Sequence, residues 1–217
     1  MVKSFLGAVV LMLSLVLSLS CSGSPSSPPA LPLMTEAEWS TWRAERNDSF
    51  KNAPDSPLMD QDKAAFEALP FFAFNPKLQF VVRLERWEEP KPLRLVTTEG
   101  EERPAVILGE LTFRYAGAEH RLRVYQLRDQ SAEYWKKPFL PFKDGTTGQE
   151  TYGAGRYLDL AGGQDDWFVL DFNLAYHPAC AYGRSGFQCP VTPPENKLPF
   201  RVEAGERLMP QSEAVHE

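Results

Sequence analysis

Apolar and polar positions along the chain change period near residue 70. Before it they recur at helical spacing. In "TEAEWSTWRAERNDSF", Trp39, Trp42 and Arg46 share one helical face, and Thr35 with Glu38 forms a capping box with acids in the first turn. The tryptophans are expected to dock this helix on the rest of the domain. A second short helix is predicted in "DQDKAAFEALP", capped by Asp60 or Asp62 and ended by Pro70, with Phe66 and Leu69 facing inward. After it the period becomes two. Phe80, Val82 and Leu84 alternate with Val81, Arg83 and Glu85, and Leu111, Phe113 and Tyr115 alternate with Thr112 and Arg114. "HRLRVYQLRD" reads as a further strand, joined to its predecessor by a tight turn at Ala116–Glu119. "WFVLDFN" is nearly all apolar, as a central strand would be, and "KLPFRVEAGE" alternates Leu198, Phe200 and Val202 with polar residues as far as Gly205.

Two short N-terminal helices followed by strands with frequent turns predict a mainly β domain of the α+β kind. Its architecture would be an antiparallel β-sandwich or a barrel-like sheet. No repeat of fixed period is visible.

The first twenty residues break this pattern. Lys3 precedes the uncharged run "FLGAVVLMLSLVLSLS", which stops at Cys21 and is too short to read as a spanning helix. It is expected to be a signal peptide over 1–20, with Cys21 as the lipidated first residue of the mature protein. Ser20 fits a lipobox, although Ser18 and Leu19 stand in swapped order, so simple cleavage or an uncleaved anchor is the alternative. "SGSPSSPPALP" lacks the means to form a core, and 21–34 is read as a flexible tether. The folded domain then spans 35–209, followed by a tail at 210–217.

Charge narrows the partners. The chain carries −6, from 23 Lys and Arg against 29 Asp and Glu. Removing 1–20 takes away Lys3 and no acid, giving 22 − 29 = −7. An acidic, unclustered surface excludes nucleic acid as the expected partner. Membrane contact is expected through the lipid anchor alone.

Two long segments carry the candidate chemistry. One is "PFLPFKDGTTGQETYGAGRYLDL" and the other is "DFNLAYHPACAYGRSGFQCPVTPPENKLPFRVEAGE". Together with "WRAERNDSF" and "SPLM", these resemble the signature of the bacterial domain-of-unknown-function 1684 family over roughly residues 36–207. The resemblance implies a shared fold and a shared set of special residues, with no settled activity. His177 departs from it, since the family usually has Asn there.

Cys180 and Cys189 are expected to form a disulfide, because the loop between them can fold back and the compartment is oxidising. A zinc site built from His177, Cys180 and Cys189 is the sharper alternative, but the spacing matches no known ligand pattern. A thiolate nucleophile at Cys180 is disfavoured by an oxidised partner. The glycine-rich loop lacks the Gly-Lys-Ser/Thr ending of a phosphate cradle. No metal or cofactor is therefore expected.

The leading expectation is a pocket for a small polar or anionic ligand. Asp144, Thr147, Glu150 and Tyr152 would line it from the glycine-rich loop, and Arg156 would be its anion-pairing group. Asp171, Asn173, Tyr176 and Asn196 would join from the second segment, with Asp171 ion-paired to Arg156. An envelope hydrolase with Asp171 or Glu195 as general base is the enzymatic alternative, although neither GxSxG nor HExxH is present. A structural or interaction module without a ligand is the third reading.

Overall fold

The computed structural model describes residues 28–128, 138–160 and 165–209. The apolar run at 1–20, Cys21 and the tail at 210–217 lie outside them. Among the described residues, no helix is long and apolar enough to cross a membrane.

Helix α1 spans Glu36–Asn52. The Thr35 hydroxyl accepts from the Glu38 amide while the Glu38 carboxylate accepts from the Thr35 amide, so the predicted capping box is present. Helix α2 is shorter than its sequence suggests, Asp60–Lys63, and neither aspartate caps it. Met59 occupies that place without a side-chain bond, and Asp60 pairs with Lys63 instead. Phe66 and Leu69 are buried as expected, but on irregular chain.

Six strands follow. They are β1 (Gln79–Val96), β2 (Glu102–Tyr115), β3 (Ala118–Leu127), β4 (Phe139–Phe142), β5 (Arg156–Asp159) and β6 (Trp167–Asp171). They form one antiparallel sheet in the order β5-β4-β3-β2-β1-β6. The β2–β3 turn is the predicted one. Ala116 and Gly117 both take positive φ, 50° and 82°, which matches the twist of the flanking strands. The sheet curls until its ends nearly meet. Tyr176, just beyond β6, exchanges both backbone hydrogen bonds with Tyr157 of β5. The result is a barrel-like half-barrel rather than a sandwich.

One inserted residue gives the sheet two useful faces. Gly109 pairs with Val124 and Ile107 with Tyr125, so Leu108 is extra and bulges from β2. A Cβ at position 109 would lie 2.1 Å from the Glu85 carbonyl oxygen, so the close approach there requires glycine. Leu108, Leu111 and Phe113 enter the main core with Leu122, Val124, Leu140, Phe142, Leu158 and Phe172. Their chain neighbours Ile107, Tyr125, Phe139 and Tyr157 point the other way into a second cluster with Leu95 and Leu127. A third cluster packs Phe50, Leu58, Phe66 and Leu69 beneath the helices against Tyr182.

Two strand expectations need correction, and β1 is longer than its alternation shows. It runs on through Pro90 and Pro92. β6 covers β1 only from Gln79 to Arg83, so those prolines lie on an open edge that needs no donor. β6 itself stands at the end of the strand order, not at its centre. It is apolar because Phe168 and Leu170 enter the core, while Val169 shares a cavity of about 270 Å³ with Leu31, Pro32 and Met34. Finally, "KLPFRVEAGE" buries Leu198 and Val202 but forms no regular strand. Several of its backbone groups bond to side chains instead.

Candidate functional site

Arg156 is fully buried at the start of β5, and its partner is Asp144, not Asp171. Nη2 lies 2.8 Å from Asp144 Oδ2 and donates to the Val202 carbonyl at 2.8 Å. Nη1 donates to the carbonyls of Ala204 and Glu206. The other carboxylate oxygen of Asp144 accepts from the amide and hydroxyl of Thr146, each at 2.7 Å, and from the Val202 amide at 3.2 Å. Phe142 and Phe72 lie against the guanidinium faces. Burial lowers the Arg156 pKa, and Asp144 counters this.

The group meant to pair an anion is thus occupied by the chain's own C-terminal segment. The Arg156–Asp171 pair is a wrong expectation with a simple cause. Asp144 sits on the turn that returns against β5, and the nearest opposite charge in space was not the nearest in the strand pattern.

The rest of the glycine-rich segment supports this knot. The Thr147 hydroxyl accepts from the Asp144 amide, and Glu150 pairs with Arg201 and, at 3.7 Å, Arg207. Gly155, at φ 107°, is pressed between Thr192 and the Phe142 carbonyl, leaving no room for a Cβ.

Asp171 works at another corner. Its Oδ1 accepts from the Asn173 amide and side chain at 2.9 and 2.8 Å, and its Oδ2 from Gln79 at 2.8 Å. Asn173 falls in a single 3-10 turn capped by Asp171, so strand alternation ends at Asp171. The Asn173 side chain brackets Asn75, accepting from its amide and donating to its carbonyl. Its backbone carbonyl takes the Trp39 indole N–H at 3.1 Å, which docks α1. Asn196 acts as a short piece of strand. It accepts from the Arg123 amide and donates to the carbonyls of Arg123 and Pro141, bridging β3 and β4 where they diverge. Glu195 is ion-paired with Arg123 on the surface.

A second arginine hub was missed in the sequence. The Arg46 side chain of α1 donates to the fully buried carboxylate of Glu206, 160 residues away. The other Glu206 oxygen accepts from the His177 amide and the Tyr182 hydroxyl, both at 2.7 Å. Burial alone would lower the Arg46 pKa, but Glu206 reverses this and raises it. His177 is buried, and Nε2 accepts from the Tyr152 amide at 3.2 Å. Burial, with Arg156 and Arg46 nearby, pushes its pKa down to about 3, so the ring is neutral. An asparagine oxygen could accept the same bond. The available signals were Arg46 one helical turn beyond Trp42 and the acid closing the "AGE" turn.

This second hub borders space. A cavity of about 480 Å³ lies between the end of α1 and the second face of the sheet. Arg46, Ser49 and Phe50 form one wall, and Phe139, Tyr157 and Asp159 form another. Tyr176, His177, Phe187 and Cys189 close it. Tyr176 is the one candidate pocket residue placed in this wall. Its hydroxyl donates to Asp159 at 3.0 Å, and its ring meets Tyr157 edge-on at 5.9 Å. Tyr152 touches the region from behind through His177, and burial raises its pKa. Asp171 lines the smaller cavity beside Leu31 and Met34. Asp144, Thr147, Arg156, Asn173 and Asn196 belong to the knots described above.

Cys180 and Cys189 are disulfide-bonded with Cα atoms 6.2 Å apart, as expected from their spacing. The bridge takes up both thiols of the alternative zinc site. Among the described residues, no group of three or more His, Cys, Asp or Glu is placed to hold a metal ion.

The family described as a protein of unknown function (DUF1684) matches residues 64–207. The chain belongs to this family. The matched stretch contains the Arg156 knot and Glu206, while α1, which brings Arg46, precedes it. An uncharacterized protein of Haloarcula marismortui (gene locus rrnAC0354), solved by solution NMR, is 32% identical with a TM-score of 0.61. The alignment covers 79% of the DUF1684 chain and 93% of that protein. No curated protein matches.

Proposed function

We propose that this protein is an exported, lipid-anchored binder of a small polar ligand held in the cavity between α1 and β3–β5. The observation that carries this is the 480 Å³ cavity, a size suited to a small molecule. Its walls come from segments far apart in sequence and are stiffened by the disulfide and the Arg46–Glu206 pair. Aromatic rings supply contact area, and a few polar groups at the edge supply orientation. An anionic ligand loses its proposed partner, since Arg156 is enclosed by Asp144 and the backbone at 202–206. The anchor rests on the apolar run ending at Cys21.

A thermal-shift screen of neutral, basic and acidic small molecules tests the binding role. A ligand at a hundred times its Kd should stabilise by about 2.7 kcal/mol. Ser49→Trp should remove that shift, because Ser49 is an exposed cavity residue whose replacement fills space without entering the core. A shift unchanged in Ser49→Trp would place binding elsewhere. Mass spectrometry of membrane fractions tests the anchor, which a mature soluble form beginning away from Cys21 would refute.

A further inference from the structure

The cavity wall at Arg46 and His177 carries hydrogen-bond donors that the chain itself does not use up. His177 Nε2 accepts from the Tyr152 amide, and an amide N–H can only donate. The ring proton is therefore fixed on Nδ1. That N–H has no acceptor among the described residues, yet it is not sealed in the interior. His177 is 2% exposed and belongs to the cavity wall, so an acceptor for Nδ1–H must come from the cavity.

Arg46 repeats the situation on α1. A guanidinium carries five N–H donors. The polar partners of Arg46 among the described residues are Glu206, reached through Nε, and the Tyr182 oxygen. Those partners cannot take up every donor, and the side chain is 22% exposed where it forms the wall. One carboxylate keeps the two sets of donors together. Glu206 Oε1 holds Arg46, while Oε2 holds the His177 amide. Phe50, Phe139 and Phe187 supply apolar lining in the same cavity.

From these donors we infer that the cavity recognises a planar oxygen acceptor, the carbonyl of an amide or the carboxylate of an acid, on an apolar or aromatic body. The oxygen accepts from Arg46 and from His177 Nδ1–H. A guanidinium fork matches such a group in plane and direction. The body lies against the phenylalanine rings. An ammonium on the same body would bring only donors to a wall of donors.

The inference rests on the cavity being the binding site, and the probes separate the two ideas. 3-Phenylpropanamide and 3-phenylpropanoate carry the acceptor without and with a charge, while 3-phenylpropylammonium carries none. Calorimetry on the full chain should find at least one acceptor probe bound about tenfold more tightly than the ammonium. The tighter of the two names the group that the site takes. Nitrogen NMR of the ring should show His177 protonated on Nδ1, and that nitrogen should shift when the acceptor probe binds. Arg46→Lys keeps a cation beside Glu206 but loses the fork. It should weaken the acceptor probe about tenfold and leave the ammonium unchanged. The NMR readout uses the native chain, so it decides even where that variant folds poorly. A proton on Nε2, or acceptor probes no tighter than the ammonium, would overturn the inference. If the ammonium then binds and Ser49→Trp abolishes it, the cavity remains a binding site. No cavity-dependent binding by any of the probes would overturn both.

Discussion

Two buried arginine–carboxylate pairs organise this domain, and they differ in what surrounds them. Arg156 and Asp144 are packed on every side. The guanidinium meets a carboxylate, three carbonyls and two phenyl rings, and the carboxylate's remaining capacity is taken by Thr146 and Val202. Arg46 and Glu206 are equally well matched, yet Arg46 forms part of a cavity wall. The first pair is a knot that holds the chain to itself. The second is a strut beside empty space. The buried charges of the two signature segments therefore mark how the half-barrel is locked, whereas the cavity joins the end of α1 to other residues of the same segments, among them Tyr157, Tyr176 and Cys189.

The largest effect should come from cutting the knot. Arg156→Ala leaves Asp144 buried without its cation and should cost about 3–5 kcal/mol in denaturant unfolding. Arg46→Ala should cost less, because its side chain is partly exposed and water can reach the site through the cavity. Equal losses would erase the distinction between knot and strut.

Next in size is the disulfide. Cys180→Ser with Cys189→Ser should cost about 2.5–3 kcal/mol in the chain-entropy model, since the closed loop is short. If the bridge also shapes the cavity wall, ligand stabilisation should fall in this variant but remain in a core variant of similar stability, such as Leu122→Ala.

The smallest effect is at His177 and depends on pH. Its native pKa of about 3 lies below the ordinary histidine value, so between these pH values the unfolded chain binds a proton that the native state does not. Stability from this group is full above pH 6.5 and falls as pH drops toward 3. The loss should be roughly 2 kcal/mol by pH 5. His177→Asn should preserve the fold at neutral pH, because an amide oxygen can accept from the Tyr152 amide. The variant should also show a shallower loss of stability toward pH 5. Parallel curves for the two proteins would mean that His177 is not held neutral.

Features carried by neighbouring residues were legible in the sequence. The Thr35–Glu38 capping box, the Ala116–Gly117 turn and the Cys180–Cys189 bridge each rest on a short stretch whose chemistry is local. Features that depend on distant acceptors were not. Arg156 bonds mainly to backbone carbonyls at 202–206, and a carbonyl has no signature in a residue pattern. Asn196 looked like a ligand group because an amide suits that role, yet its donors and acceptors stand in for missing strand partners. The cavity was hidden for a related reason. Alternation shows that Tyr157 and Leu158 face opposite ways, but not that the Tyr157 side is left incompletely filled.

The segment at 202–206 serves both arginines, and this sets an order of events for the chain. Asp144 and Arg156 bind the Val202 backbone, Arg156 also takes the carbonyls of Ala204 and Glu206, and Arg46 takes the Glu206 side chain. Helix α1 leaves the ribosome among the earliest described residues, but it must wait for Glu206 to find its counter-charge. Contacts that close so late carry the loop-closure entropy of most of the domain before any of it is returned. Until the last turn emerges, α1 has its Trp39 contact to Asn173 but not the ion pair that fixes its far end. A polypeptide stopped before Val202 would leave Arg46 without its counter-charge, and Arg156 with Asp144 but without its three carbonyls.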